Sequence, residues 1–241
     1  MSLPKISIVT PVFNGVNFLE ETILSVLNQN YANLEYIIID GGSTDGSIDI
    51  IKKYEHQLTY WISENDRGMY DAIQKGFSQS TGEIMGWINS DDLYSPYCLS
   101  IISNLLENNS QICWLTGLNV TYDEKSRIIG AHSPRKITRL DMLSFDYSWI
   151  QQESTFWRRS LWEKAGAKLS NYTLAGDFEL WLRFSRYQPL YYINTYLGGF
   201  RSRSHGQLSL DYFDEYNAEC KKIIKKEPVN KSELPVEALS K

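Results

Sequence analysis

Asp91 and Asp92 stand side by side after the polar pair Asn89-Ser90, where the apolar run Glu83 to Ile88 stops. Adjacent carboxylates are costly to bury without a partner. A hard divalent cation, Mn2+ or Mg2+, resolves that cost because it prefers carboxylate and phosphate oxygens. A turn, or the cap of a helix starting near Ser95-Pro96, accounts for the same pair. Asp40-Gly41-Gly42-Ser43 closes another apolar run. Its glycines let a backbone approach a flat ligand, and Asp40 can accept a hydrogen from a base or ribose; a plain strand-to-helix turn uses the same residues. From Ser63 to Ala72 charged residues crowd around Gly68, and Asp66 and Arg67 are the candidates for a nucleotide-contacting loop. A solvated loop with acids at a helix start reads the same way.

Asp177 follows Ala175-Gly176 and opens an amphipathic segment. It is either a helix cap or a general base that takes a proton from an acceptor hydroxyl. Glu179 lies two positions on, roughly 200° around a helix, and so faces elsewhere. Arg201, Arg203 and His205 follow Gly198-Gly199 in what reads as a glycine-rich loop. The arginines can hold a diphosphate, and His205 can reach a metal. The sequence has no G-x-G-x-x-G, H-E-x-x-H, Cys-x-x-Cys or G-x-x-x-x-G-K-[ST], which sets aside dinucleotide, zinc and P-loop chemistry.

Four strand-like runs must carry the early candidates: Ile6 to Thr10, Leu34 to Ile39, Leu58 to Ile62 and Glu83 to Ile88. Helical periodicity separates them, over Phe18 to Gln29, after a cap at Ser43-Thr44-Asp45, and over Met69 to Ser78. Strand–helix alternation at this spacing predicts βαβ units and a mostly parallel sheet. Ligands sit beyond the carboxyl ends of such strands, and here those ends carry Thr10-Pro11, Asp40, Glu64 to Asp66, and Asp91-Asp92. The second half reads as a helix from Pro96 to Glu107, strands near 112–122 and 127–132, and helices over Ile137 to Met142, Ser160 to Ala165 and Asp177 to Arg186. A strand over Pro189 to Ile193 and a helix from about Leu210 to Lys225 complete it. The polar tail from Glu227 to Lys241 is expected to fray.

The 241 residues are 42% hydrophobic and 22% charged, enough apolar content for a real core. A net charge of −5 argues against a nucleic-acid partner. Three scattered cysteines, Cys98, Cys113 and Cys220, fit reduced thiols in a cytoplasmic setting. No signal-peptide pattern or membrane-length apolar run is visible, so the expectation is a soluble or peripheral protein. Lys221 to Lys226 is a candidate for contact with an anionic membrane surface, with a solvated helix face as the alternative.

Taken together, the segments resemble the family 2 glycosyltransferases. Ser7 to Asn14 is similar to the family's first strand and nucleotide-binding turn, and Ile23 to Gln29 to the helix that follows. Ile38 to Ser47 is similar to its second strand and turn. Ser63 to Lys75 and Glu83 to Asp92 resemble the lead-in and the metal-binding strand. Gln151 to Arg159 and Ala175 to Arg183 resemble its acceptor-side motifs. The resemblance spans roughly residues 5–210.

It implies a GT-A fold within the α/β class: a Rossmann-like, mostly parallel sheet flanked by helices, with a smaller mixed-sheet acceptor half. The expected organisation is one domain over 1–210, with a nucleotide-binding half to about 95 and an acceptor half from 96, then a helix and tail over 211–241. The implied reaction is inverting transfer of a sugar, of the hexosyltransferase type. The donor would be a nucleotide-diphosphate sugar, UDP-type favoured, and the acceptor a glycan or lipid-linked molecule in polysaccharide assembly. Thr10, Pro11 and Phe13 would frame the base, Asp40 would accept its ring N–H, and Asp66 and Arg67 would flank base or ribose. Asp91 and Asp92 would occupy the metal and diphosphate motif, Asp92 favoured as the direct ligand. Asp177 would be the base, and Glu153 would orient an acceptor hydroxyl. Two departures stand out: Asn89 replaces a frequent acid, and Gly176 replaces the acid that commonly precedes the catalytic aspartate. The rival readings are a sugar nucleotidyltransferase, against which the lack of a basic residue in Thr10 to Gly15 argues, and a non-catalytic sugar-nucleotide binder, which would have lost one of the three aspartates.

Overall fold

Ile6–Val12 is buried along its whole length, and apolar except at Ser7 and Thr10, because both faces of the strand it forms, β1, are covered. In the computed structural model, which describes residues 3–146, 149–169, 172–204, 207 and 211–229, β1 lies between β2 (Leu34–Asp40) and β4 (Ile84–Trp87), with β3 (Tyr60–Ser63) beyond β2. All four run parallel. The crossovers are α1 (Leu19–Leu27), α2 (Ser47–Tyr54) and α3 (Met69–Gln79). The expected βαβ frame is therefore present.

The sheet extends to seven strands with elements from the second half. β9 (Thr155–Arg158) inserts antiparallel between β4 and β6 (Trp114–Thr116), and β10 (Tyr191–Tyr192) pairs with the far side of β6. A second sheet is ordered β5 (Leu93–Tyr94), β11 (Gly198–Arg201), β7 (Asn119–Tyr122), β8 (Ile128–His132). The remaining helices are α4 (Cys98–Asn108), α5 (Arg139–Leu143), α6 (Arg159–Lys164), α7 (Gly176–Phe184) and α8 (Phe213–Lys226).

Alternation along the central strands divides the interior into two cores. Tyr36 and Ile38 join Leu19, Ile23 and Val26 of α1 and Leu99 and Ile102 of α4 on one face. Ile37 and Ile39 join Ile73 and Phe77 of α3 and a tryptophan-rich cluster, Trp87, Trp114, Trp157 and Trp181, on the other. Trp87 and Trp181 stack with ring centroids 5.6 Å apart. Much of the tryptophan content thus packs in the core, as large aromatics do.

Four local expectations change. β1 does not stop at Pro11 but pairs through to Val12, and its pairing with β4 ends at Val9. Pro11 therefore lacks its N–H where only one neighbour flanks the strand, a tolerated position. The N-cap position of α2 is Gly46 at φ 104°, and of Ser43-Thr44-Asp45 only Asp45 reaches the helix start, accepting from Ser47 N at 3.0 Å. The expected glycine-rich loop before Arg201 is strand β11. Glu227 does not fray: Arg139 holds it at 2.9 Å and Arg186 at 2.6 Å. Residues 230–241 and Leu210 lie outside the described residues. No described helix is long and apolar enough to cross a membrane.

Candidate active site

The carboxyl rim of the parallel strands is laced together by short polar side chains. Asp40, buried at the end of β2, accepts from Gly42 N at 3.1 Å, Ser43 N at 2.9 Å and Ser63 Oγ at 2.6 Å, so it ties β2 to β3. Ser43 Oγ donates to its other oxygen at 2.5 Å. Gly42 adopts φ +88°, which a side chain would strain. The loop after β1 is fastened to the same turn: Asn14 N donates to Ser43 Oγ at 2.8 Å, Thr44 N to Asn14 Oδ1 at 3.0 Å and Val16 N to Asp45 Oδ2 at 2.9 Å. Asp66 accepts from Gly68 N at 2.8 Å, and its carboxylate lies against Gly41, so Asp40 and Asp66 share one corner. Thr10 and Pro11 are buried within β1, Thr10 with its hydroxyl 3.1 Å from that of Tyr36, whereas Phe13 is 67% exposed just past the strand. Arg67 is not gathered into the corner; it pairs with Asp71 one helical turn on, at 2.5 Å.

Asp91 and Asp92 sit in the turn between β4 and β5, closed by Asp92 N donating to Asn89 O at 3.2 Å. Asp92 is 1% exposed. Its Oδ1 accepts from Arg201 N at 2.8 Å and its Oδ2 from Asn89 Nδ2 at 3.3 Å. Burial pushes its carboxyl well above the usual range, and the charges of Asp91 and Glu153 add to this. Burial also raises Asp91, against the opposing pull of Arg203. The Asp91 side chain keeps 20% exposure, and Arg203 Nε lies 3.0 Å from its Oδ2. The more accessible carboxylate of the pair is thus that of Asp91, while the sequence reading favours Asp92 as the direct metal ligand. His205 lies outside the described residues.

Arg201 is fully buried, so a diphosphate contact is the wrong expectation for it in this arrangement. Its Nε donates to Asp91 O at 2.6 Å, and its terminal nitrogens reach Ser126 Oγ and Glu21 Oε2, each at 2.9 Å. The guanidinium also lies 4.6 Å from the centroid of the Phe18 ring. It ties α1 and the β7–β8 turn to the acidic pair.

Glu153 belongs to a 3-10 turn, Gln152–Ser154, that packs against β4, β5 and β11. Gln152 Nε2 donates to Trp87 O, locking this turn to the strand that leads to Asp91. Glu153 Oε1 is buried without a hydrogen-bond partner. Burial pushes the carboxyl up to about 8, and the charges of Asp91 and Asp177 both bear on it. Asp177, in the first turn of α7, is raised to about 6, mainly by burial. Glu153 thus lies within electrostatic reach of the Asp91-Asp92 pair on one side and of Asp177 on the other.

Tyr70 holds Asp177. Its hydroxyl lies 3.2 Å from Asp177 Oδ1 and 3.0 Å from Leu174 O. It also explains the departure at Gly176: a Cβ there would meet the Tyr70 ring at 2.8 Å. Glu219 on α8 fixes the approach to α7, accepting from Leu174 N and Ala175 N, each at 2.9 Å. Tyr70, Gln152, Glu21 and Glu219 are absent from the sequence-derived site. Tyr70 lies inside the Ser63 to Lys75 segment, whereas Glu219, 45 residues from Leu174, has no local signal.

Among the described residues no group of three or more His, Cys, Asp or Glu side chains is arranged to hold a metal ion. Asp91 and Asp92 nevertheless fit one, because Asn89 Oδ1 beside them is buried without a partner. These are hard oxygen donors of the kind Mg2+ and Mn2+ take together with substrate phosphates.

A parallel sheet with an acidic rim, completed by a mixed half that brings in a further carboxyl, is the frame of a GT-A glycosyltransferase. The model of glycosyl transferase family 2 matches residues 7–165, and the chain belongs to that family, which makes it a sugar-transferring enzyme. An uncharacterized glycosyltransferase of Rickettsia typhi is 29% identical over 234 residues, covering 92% of this chain and 72% of the relative. One of Mycobacterium tuberculosis is 28% identical over 186 residues, covering 76% and 69%. Among solved structures, S. aureus TarS 1–349 in complex with UDP-GlcNAc superposes with a TM-score of 0.74 at 15% identity, covering 95% of this chain and 68% of that one. The mannosyltransferase PcManGT from Pyrobaculum calidifontis, in complex with GDP-Man and Mn2+, gives 0.70 at 16% identity, covering 95% and 67%. The solved structures establish the GT-A fold.

Proposed function

We propose that the chain transfers a sugar from a nucleotide-diphosphate donor to a hydroxyl of a glycan or lipid-linked acceptor, in one inverting displacement, with Asp177 as general base. The observation that carries this is the buried Glu153 carboxyl, on which the charges of both Asp91 and Asp177 bear, beside the Asp91-Asp92 pair at the end of the parallel strands. A donor of this class is supported by the complexes of TarS with UDP-GlcNAc and of PcManGT with GDP-Man, and the UDP type is favoured. The corner formed by Asp40, Gly42 and Asp66, next to the loop that carries the exposed Phe13, is the proposed nucleotide site. The organisation into a nucleotide half and an acceptor half, on the cytoplasmic side of glycan assembly, belongs to the same reading.

The acceptor hydroxyl approaches Asp177, which takes its proton as the oxygen attacks the anomeric carbon and the nucleoside diphosphate departs. Tyr70 orients the base. Asp177, raised to about 6, is ionised yet close to neutrality, which suits a general base. Glu153, carrying its proton, donates to a sugar hydroxyl from within the site. Arg203 sets a cation beside Asp91, where the diphosphate would lie. Asp91, Asp92 and Asn89 Oδ1 would hold Mn2+ or Mg2+, which supplies charge stabilisation to the leaving diphosphate when bound.

The test is a product assay with radiolabelled UDP- and GDP-sugars, using wild type and Asp177→Asn. Label transferred by wild type and lost in the variant is the expected result. Normal transfer by the variant would remove Asp177 from its role.

A further inference from the structure

Three aromatic side chains form a partly exposed platform beside the acceptor half: Tyr216 belongs to the core, while Trp149 and Phe213 lie outside it. Trp149 stacks on Tyr216 with centroids 4.7 Å apart and planes at 15°, and faces Phe213 at 6.4 Å and 22°. Tyr216 is buried beneath, while Trp149 is 39% and Phe213 50% exposed. Tyr212, also exposed, adjoins Phe213. Phe213 and Tyr216 are three apart on α8, so they share a face, and Glu219 continues that face three residues on.

We infer that this platform binds a neutral pyranose ring of the acceptor glycan. The inference rests on the transferase reading above and names where its acceptor lies. Three observations support it. First, the Trp149 ring, stacked near-parallel to Tyr216 and Phe213 and still 39% exposed, offers a broad aromatic face to the C–H face of a pyranose, and exposed rings clustered in this way mark interaction sites.

Second, the platform is continuous with the candidate active site. Trp149 precedes Glu153 by four residues, a chain reach of at most about 14 Å. Glu219 fixes the backbone of Leu174 and Ala175, just before Asp177, and six residues of helix separate it from Phe213, about 9 Å. A sugar stacked here lies within a few sugar units of both carboxyls. The nucleotide corner at Asp40 is formed by other elements, so the donor is not the occupant.

Third, the rim is acidic. Asp211, Asp214 and Glu215 are exposed beside the rings. Carboxylates accept hydrogen bonds from sugar hydroxyls and repel an anionic bilayer, which favours a neutral glycan over a lipid surface.

The test uses the full chain as wild type, Trp149→Ala, Trp149→Phe and Phe213→Ala. Saturation-transfer NMR is run against neutral gluco-, manno-, galacto- and chito-tetrasaccharides. UDP affinity with Mn2+ is measured alongside as the control for fold and donor site. Expected is ring-proton transfer from at least one tetrasaccharide, weakened tenfold or more in the alanine variants and kept in Trp149→Phe, with UDP affinity unchanged. Should Trp149→Ala misfold, Phe213→Ala decides. The proposal is overturned if no tetrasaccharide binds wild type, or if binding survives both alanine changes. It is equally overturned if those changes abolish binding to anionic vesicles or self-association in place of sugar binding. Loss of UDP binding by wild type would instead sink the transferase reading, while the NMR arm still reports on the platform.

Discussion

The main-chain N–H of Arg201 donates to Asp92 Oδ1 at 2.8 Å, while the Arg201 side chain donates to the main-chain oxygen of Asp91 at 2.6 Å. One buried residue thus braces both aspartates, from the strand on one side and the guanidinium on the other. Removing the guanidinium in Arg201→Gln leaves the Asp91 carbonyl without its charged donor. Buried acceptors left unpaired cost about 1–3 kcal/mol each. The variant should unfold at lower urea and bind UDP with Mn2+ more weakly; wild-type values for both would show that the brace is dispensable.

Asp177 should set the acid limb of the pH profile. Below about 6 its carboxyl is protonated and cannot act as a base, so kcat/KM should rise with pH through that value. Tyr70 lowers the carboxyl by its hydrogen bond. Tyr70→Phe should therefore move the limb to higher pH, and Asp177→Asn should lower transfer by about 10²–10⁴-fold. An unmoved limb in Tyr70→Phe would show that the contact does not tune the base.

Glu153 should make stability fall as pH rises. Its carboxyl titrates at about 8 when folded and near its ordinary 4.5 when unfolded. Between those values the folded chain holds a proton that the unfolded chain has released. Stability from this group is full below 4.5, declines upward and is gone above 8, a loss of less than about 5 kcal/mol. Glu153→Gln should flatten the slope of urea midpoints between pH 5 and 8, and a slope equal to that of wild type would count against the buried neutral carboxyl.

Metal should matter to nucleotide binding. A chelator should weaken UDP binding at least about tenfold, or 1.4 kcal/mol, with recovery on adding Mn2+ or Mg2+. Asp92→Asn should weaken it without recovery. Titration calorimetry checks both, and affinity indifferent to chelator would dismiss the metal.

Gly176 should not accept a side chain. Restoring the family's acid in Gly176→Glu forces Cβ against the Tyr70 ring. Overpacking of this kind costs about 1–3 kcal/mol, readable as a lower urea midpoint. A variant as stable as wild type would mean that Tyr70 moves aside freely.

The βαβ frame was legible along the chain because each strand and helix announces itself by local periodicity, and the residues at strand ends follow from it. Asp40, Asp66, Asp91 and Asp92 reach one rim for that reason alone. The seven-stranded sheet was not legible: β9 pairs antiparallel between β4 and β6, and nothing local encodes partners from distant segments. β11 read as a loop because its pairing glycines, Gly198 and Gly199, carry no strand propensity.

What the sequence determined by itself is which carboxylates the protein owns and the order in which the strands deliver them. Only tertiary structure decided their states. Burial raised Glu153 to about 8 and Asp177 to about 6, and the Tyr70 ring accounts for glycine at 176. It also took Arg201 from an expected phosphate ligand to the brace behind Asp91 and Asp92. The physical reason is that a side chain's charge state and partners depend on what is packed around it, and most of those neighbours lie far away along the chain.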